Sequence, residues 1–205
     1  LRVMDATERR VIEMAAVVGE TSWLDGILAL ERALATRTSG SILPDPDGPT
    51  LAQIAASGDH SRLSVVAAIG KLERELRFAS PNLWSVVYKS IEESRKRVLH
   101  QAVARWLELH PEGRGPAAQE EVARHLALGG EAREAASRYR RAAEAARAQF
   151  ANERAIRLFD RALACIGDTD LAARIHLWHD LGSIYELIGD FEAALGAFER
   201  MLRLS

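Results

Sequence analysis

The sequence of 205 residues has little of several features that mark large classes of protein. Its single cysteine, Cys165, excludes an intrachain disulfide and fits a reducing, cytoplasmic setting. No stretch approaches the roughly 18 consecutive apolar residues of a membrane span, and no basic-then-apolar signal peptide opens the chain. The net charge is only −2, with 27 basic and 29 acidic residues, which argues against an obligatory nucleic-acid partner.

Motifs of common enzymes are also missing. No G-x-x-x-x-G-K-[ST] phosphate loop occurs, because Gly70-Lys71 lacks both the upstream glycine and the following Ser or Thr. Kinase loops, H-E-x-x-H and paired-cysteine zinc spacings are absent as well. We therefore expect a non-enzymatic chain without a cofactor, and any ATPase or kinase activity would lie outside it.

A few residues have reactive or metal-binding side chains, and we favour a structural role over a catalytic or metal-binding role for each of them. His176 and His179 lie three residues apart on one helical face, a spacing that allows a shared metal ion. No third ligand accompanies them, so we interpret them as groove-lining or surface histidines. Cys165 is interpreted as a small buried apolar residue rather than a nucleophile. His125 is interpreted as a packed, hydrogen-bonded histidine.

The last third of the chain carries the spacing of a tetratricopeptide (TPR) repeat, W-x2-L-G-x2-Y followed by A-x3-F. The matching positions are Trp178, Leu181, Gly182, Tyr185, Ala194 and Phe198, with a turn at Gly189-Asp190. The apolar members of the first half recur at i, i+3 and i+7, the period of one helical face. A single hairpin cannot bury such a face alone, so neighbouring repeats are expected.

A second set of matching positions lies upstream, counted at the same offsets from Ala136. Its members are small or aromatic: Tyr139, Ala142, Ala143, Ala146, Ala155, Phe159 and Ala162. The two repeats are offset by 39 residues rather than 34 (Ala155 to Ala194), with the extra length at residues 166–170. Residues 131–205 are therefore predicted to form a TPR-like α-solenoid, which is an interaction scaffold.

The N-terminal part, residues 1–92, is predicted to be winged-helix-like. After helices at 5–18, with Asp5 or Thr7 as cap, and at 22–36, with Ser22 as cap, residues 50–74 have the pattern of a helix-turn-helix with its turn at Gly58. The second helix of this motif would carry Leu63, Val66, Ile69 and Leu72. Residues 76–80 are predicted as the strand of a small β wing.

The helix-turn-helix leaves two functions open. Residues 60–71 would enter a major groove in a DNA-binding regulator that uses residues 50–80, whereas a winged-helix packing module would touch no DNA. The cations of this segment are Arg62, Lys71 and Arg74, and they are offset by Asp59, Glu73 and Glu75. That balance is too weak for a clear phosphate footprint, so we favour the packing module and keep DNA binding as the alternative.

Between these parts, residues 93–130 are predicted to form a connecting helical hairpin. Residues 81–109 have a helical pattern with a break near Glu92-Glu93, and a helix at 117–128 is stopped by Gly129-Gly130. The predicted fold is thus all-α with a small β wing, in which a winged-helix-like part (1–92) leads through the hairpin (93–130) into TPR-like repeats (131–205).

Several short motifs occur in an order that resembles a known family. They are residues 8–23 (ERRVIEMAAVVGETSW), Phe78 with Tyr88, Arg97 with Leu99 and His100, Ala123 with His125 and Gly129, and then the TPR units. This order resembles the helical region that follows the nucleotide-binding domain in bacterial signal-transducing ATPases of the STAND class. Ser80 departs from the pattern, since the family usually has histidine there. The resemblance implies kinase, adenylate cyclase or transcriptional-activator domains elsewhere in a longer protein.

The chain opens on Leu1 and stops at Ser205, before the last position of its repeat, so we expect a piece of that longer protein. Its predicted function is that of an interaction and regulatory module in a cytoplasmic signalling protein. We expect no membrane partner. An exposed terminal repeat would also allow a dimer.

The candidate site is the TPR groove, which the first helix of each repeat lines. The predicted lining residues are Ser137, Arg140, Glu144, Arg147, His176, His179, Ser183 and Glu186. Arg140 and Arg147 lie one to two turns apart and can grip carboxylates bidentately. The predicted partner is an acidic or C-terminal peptide, or a neighbouring domain of the same chain. The alternative interpretation, ordinary solvated charges on a helix, stays open.

Overall fold

The fold is predominantly helical with one small sheet, as the sequence predicts. The computed structural model describes residues 6–38, 63–69, 73–109, 118–168 and 170–205. In these residues it has nine helices and a three-stranded sheet. None of the described helices is both long and apolar enough to cross a membrane. The chain divides into two compact units, Leu1–Leu109 and His110–Ser205.

The first unit combines helices and strands. Its elements are α1 (Ala6–Val18), β1 (Thr21–Trp23), α2 (Leu24–Thr38), β2 (Leu63–Ile69), β3 (Glu73–Phe78), α3 (Pro81–Ser90) and α4 (Glu93–Leu109). Helix α1 is buried along most of its length, with Met14 and Ala15 almost inaccessible to solvent. The indole nitrogen of Trp84 donates a hydrogen bond of 2.9 Å to the carbonyl of Ala16 and so fixes α3 to α1.

The junction between α3 and α4 confirms the predicted helix break near Glu92-Glu93. Helix α3 starts at Pro81 behind the cap residue Ser80, whose hydroxyl accepts a 3.1 Å hydrogen bond from the Leu83 amide. Its last residue is Ser90, and α4 begins at Glu93. The two helices are joined by a 2.9 Å hydrogen bond between the Tyr88 hydroxyl and Nε2 of the buried His100.

The predicted recognition helix at residues 60–71 is wrong, because residues 63–69 form strand β2. This strand pairs antiparallel with β3, from Leu63 opposite Phe78 to Ile69 opposite Glu73. A short apolar run satisfies helical and strand patterns equally well, and β-branched residues such as Val65 and Val66 favour the strand. Pairing with β3 decides between them. The predicted first helix of the motif and Gly58 lie outside the described residues.

The strand predicted at residues 76–80 is present but shifted, since it starts three residues earlier and ends two residues earlier. Strand β3 covers Glu73–Phe78 and forms the centre of the sheet order β1-β3-β2. Its buried residues alternate with more exposed ones, as expected for a half-buried strand: Leu76 and Phe78 are buried and Arg77 is exposed. Ser22, predicted as a helix cap, lies instead in β1 opposite Leu76 and is buried.

The second unit is a row of five helices. They are α5 (Ala118–Leu128), α6 (Ala132–Ala148), α7 (Asn152–Cys165), α8 (Leu171–Leu187) and α9 (Phe191–Leu202). Each helix packs on the next one in the chain. A core of small and aromatic side chains, including Tyr139, Ala143 and Phe159, runs from α5 to α8. Gly130 and Gly189 have positive φ in the turns before α6 and α9, where a side chain would be strained.

The predicted hairpin of residues 93–130 is divided between the two units. Helix α4 belongs to the first unit, where it packs on α1 and α2 and the Trp106 ring lies against Gly26. Helix α5 belongs to the second unit, where it packs on α6. Each of the two helices therefore buries its apolar face against helices of its own unit.

The crossing of α8 and α9 gives the first testable prediction. A Cβ atom added at Gly182 would lie 2.7–2.9 Å from ring atoms of Phe198, too close for any real side chain. Gly182→Ala should therefore destabilise the second unit by about 1–3 kcal/mol through overpacking. Urea unfolding followed by circular dichroism measures the effect.

Gly196→Ala is the matched control, since a Cβ there meets nothing within 4 Å in the middle of α9. This variant should gain about 0.5–1 kcal/mol because alanine favours a helix over glycine. Equal effects of the two substitutions would contradict the described crossing.

Candidate interaction groove

The eight predicted groove residues lie on two helices, four on α6 and four on α8. All eight are at least partly accessible to solvent. The two helices have α7 as a common packing neighbour in the row, and side chains of α6 and α8 also meet directly. The structure thus brings part of the predicted set together around one depression.

Arg140 lies at one end of this depression and contacts two carboxylates. Its Nε lies 2.8 Å from Oδ2 of Asp180 on α8 and 3.2 Å from Oε1 of Glu144 on its own helix. The Asp180 carboxylate is mostly buried and also lies 3.6 Å from Nδ1 of His179. Arg140 therefore already joins the two helices. Asp180 is not among the predicted groove residues, although it directly follows His179, which is.

A second ion pair between arginine and aspartate lies further along the same depression. Arg133 approaches Asp170 through Nε at 3.0 Å and Nη2 at 2.8 Å, both measured to Oδ2. The other oxygen, Oδ1, caps α8 by accepting a hydrogen bond from the Ala173 amide. Neither residue was predicted. Their positions in the sequence would have allowed the prediction, because Arg133 lies one helical turn before Ser137 and Asp170 directly precedes α8.

A cavity of about 430 Å³ lies between these two ion pairs, and we call it the groove pocket. Three of the four ion-pair residues line it, namely Arg133, Arg140 and Asp170, and Asp180 lies next to Arg140. The other lining residues are Ala136, Ser137, Ile166, Ala173, His176 and Leu177. The buried part of its lining is apolar and consists of Ala136, Ile166 and Leu177. The part that faces the solvent is polar. The volume falls within the range of sites that hold small ligands or side chains.

Three of the predicted residues, Ser137, Arg140 and His176, line the groove pocket. The other five do not: Glu144, Arg147, His179, Ser183 and Glu186. Ser183 turns back on its own helix and donates a 3.0 Å hydrogen bond to the carbonyl of His179. Arg147 is exposed and forms no ion pair within the described part of the chain. The pocket is therefore smaller than the predicted groove.

The histidines have separate surroundings. His176 and His179 are exposed, and no group of three metal-ligating side chains occurs among the described residues. His125 is buried and lies 2.8 Å from Nη2 of Arg124, so its Nε2 accepts a hydrogen bond when the imidazole is neutral. This environment agrees with the predicted packed histidine.

Cys165 is partly buried at the end of α7, packed against the helical core. Burial raises the pKa of its thiol above the usual value, because an apolar environment disfavours the charged thiolate. A higher pKa lowers the thiolate fraction at neutral pH, and the thiolate is the nucleophile. The structure therefore agrees with a packing role for this residue.

No protein-family model matches this chain, and no curated protein matches it.

The raised pKa of Cys165 has a measurable consequence. In the folded protein its reaction with a thiol-reactive disulfide should be several-fold slower at neutral pH than that of a free cysteine, and should accelerate only at higher pH. The rate in urea is the control, since unfolding should restore the behaviour of a free thiol. A folded rate equal to or above the unfolded rate would contradict the described packing.

Proposed function

We propose that the second unit is a TPR-like protein-interaction module whose groove pocket binds a peptide segment or a neighbouring domain. In this proposal the first unit is a winged-helix-like contact domain. The whole chain acts as the regulatory part of a larger cytoplasmic signalling protein, of the kind found in STAND-class ATPases. The observation that carries the proposal is the groove pocket, an apolar depression with an arginine at each end.

Arg140 still has donors to offer a ligand. Its hydrogen bond to Asp180 uses Nε, and among the described residues none forms a hydrogen bond with Nη1 or Nη2. These two groups carry four of the five N–H donors of a guanidinium. A carboxylate of a partner can therefore bind across Nη1 and Nη2 without breaking the contact to Asp180. Charge-assisted bidentate pairs of this type are the strong hydrogen bonds of interfaces.

The apolar lining complements this polar contact. Ala136, Ile166 and Leu177 offer a buried apolar surface that an aliphatic or aromatic side chain of a partner can cover. The partner therefore has an apolar side chain next to a carboxylate, either of Asp or Glu or of a free C-terminus. Apolar burial contributes affinity, and the arginine determines orientation and specificity.

The test uses a displayed library of random peptides selected for binding to the whole chain. We expect the selected peptides to contain an apolar residue beside an acidic one or beside a free C-terminus. Their affinities are then measured by fluorescence anisotropy. The double substitution Arg133→Ala/Arg140→Ala removes the arginine at each end of the groove pocket. It should weaken binding by about tenfold or more, as loss of a charged anchor does, with little change in helicity.

Arg141→Ala is the matched control, because Arg141 is an exposed arginine on the same helix that does not line the groove pocket. It should leave the affinity unchanged. Equal binding by the wild type and the double variant would exclude the groove pocket. Salt dependence separates this function from the DNA alternative: peptide binding should weaken modestly with salt, and tight duplex binding with a steep salt slope would favour DNA instead.

A further inference from the structure

An uncovered apolar face lies at the end of the helical row, away from the lining of the groove pocket. Its residues, which we call the α9 face, are Leu187, Ile188, Phe191, Leu195 and Leu202, all exposed. Phe191, Leu195 and Leu202 follow the spacing i, i+4 and i+11 and so form one stripe along α9. Their exposed fractions are 71%, 62% and 67%. A contiguous apolar stripe of this kind marks an interaction surface.

The internal repeat shows what kind of surface this is. With the offset of 39 residues, Leu195 and Leu202 correspond to Ile156 and Leu163 on α7. Leu163 is only 9% exposed, and both α7 residues pack in the core to which α8 contributes Leu177. The same positions are thus packed against the core in the first repeat and exposed in the part of the second repeat that the structure describes. The open face is built to pack against another helix.

The charges beside the stripe fit a second copy of the same helix. Glu192 flanks the stripe at the start of α9 and Arg203 flanks it at the end. They are about 16.5 Å apart along the axis, at about 1.5 Å per residue, so they cannot pair within one chain. Glu192 forms no ion pair within the described residues, and Arg203 has only an exposed contact of 3.8 Å to Glu199.

We propose that the α9 face is a homodimer interface, in which α9 packs antiparallel against α9 of a second copy. Antiparallel packing about a twofold axis brings the acidic start of each helix to the basic end of the other, so Glu192 meets Arg203 of the second copy twice. It also opposes the two helix dipoles. A twofold interface requires one surface to be self-complementary, and the stripe with its flanking charges meets this requirement.

The first measurement is sedimentation equilibrium of the whole chain over a wide range of concentration. We expect a reversible dimer. Leu195→Glu/Leu202→Glu should raise the dissociation constant by about tenfold or more, as charges in an interface core do, without loss of helicity by circular dichroism. Leu128→Glu, at an exposed leucine of α5, is the matched control and should dimerise normally.

Charge reversal tests the antiparallel arrangement independently of folding. Glu192→Arg and Arg203→Glu should each weaken the dimer, because like charges then face each other, and the two together in one chain should restore it. A wild-type chain that stays monomeric would overturn the proposal. So would a dimer that tolerates Leu195→Glu/Leu202→Glu, or two weakening reversals that fail to restore the dimer when combined.

Discussion

The close approach of α8 to α9 at Gly182 sets the geometry of the last hairpin. The Phe198 ring occupies the space where any other residue would have its Cβ. Alanines have a related role along α6 and α7, where Ala143, Ala155 and Ala162 are fully buried between the helices. Because interiors are close-packed, helices with such small residues settle at short distances and in one orientation. The side chains that reach the surface are placed by that packing.

This packing creates the groove pocket and also limits it. Successive stacking brings α8 close enough to α6 for Arg140 to reach Asp180. The pair is partly exposed, so its own contribution to stability is small, at most about 1 kcal/mol. Its main effect is to hold the guanidinium in one orientation. An arginine fixed in this way loses less side-chain entropy when a ligand carboxylate binds than a free arginine does. In the proposed function, the ion pair therefore orients Arg140 and leaves Nη1 and Nη2 available to a ligand.

Sequence patterns predicted the helical part well where several signals agreed. The break between α3 and α4, the turn at Gly189 and the helices within residues 131–205 follow from periodicity and from glycine and capping positions. The prediction of a helix for residues 63–69 was wrong, since a short run with six apolar residues out of seven satisfies both the helical and the strand period. Three of eight predicted groove residues line the pocket. Of the other five, His179 lies beside Asp180, and the remaining four follow Arg140 on α6 or Asp180 on α8, beyond that ion pair.

The sequence by itself determined the helical repeat, the small residues at the helix crossings and the lack of known catalytic motifs, because each of these is a local pattern with a fixed period or spacing. Only the tertiary structure decided that residues 63–69 pair with β3, because a strand needs a partner that is distant in the chain. It also decided that Arg133 and Arg140 meet Asp170 and Asp180. Those contacts join residues about 40 positions apart, and their formation depends on how closely α6, α7 and α8 pack.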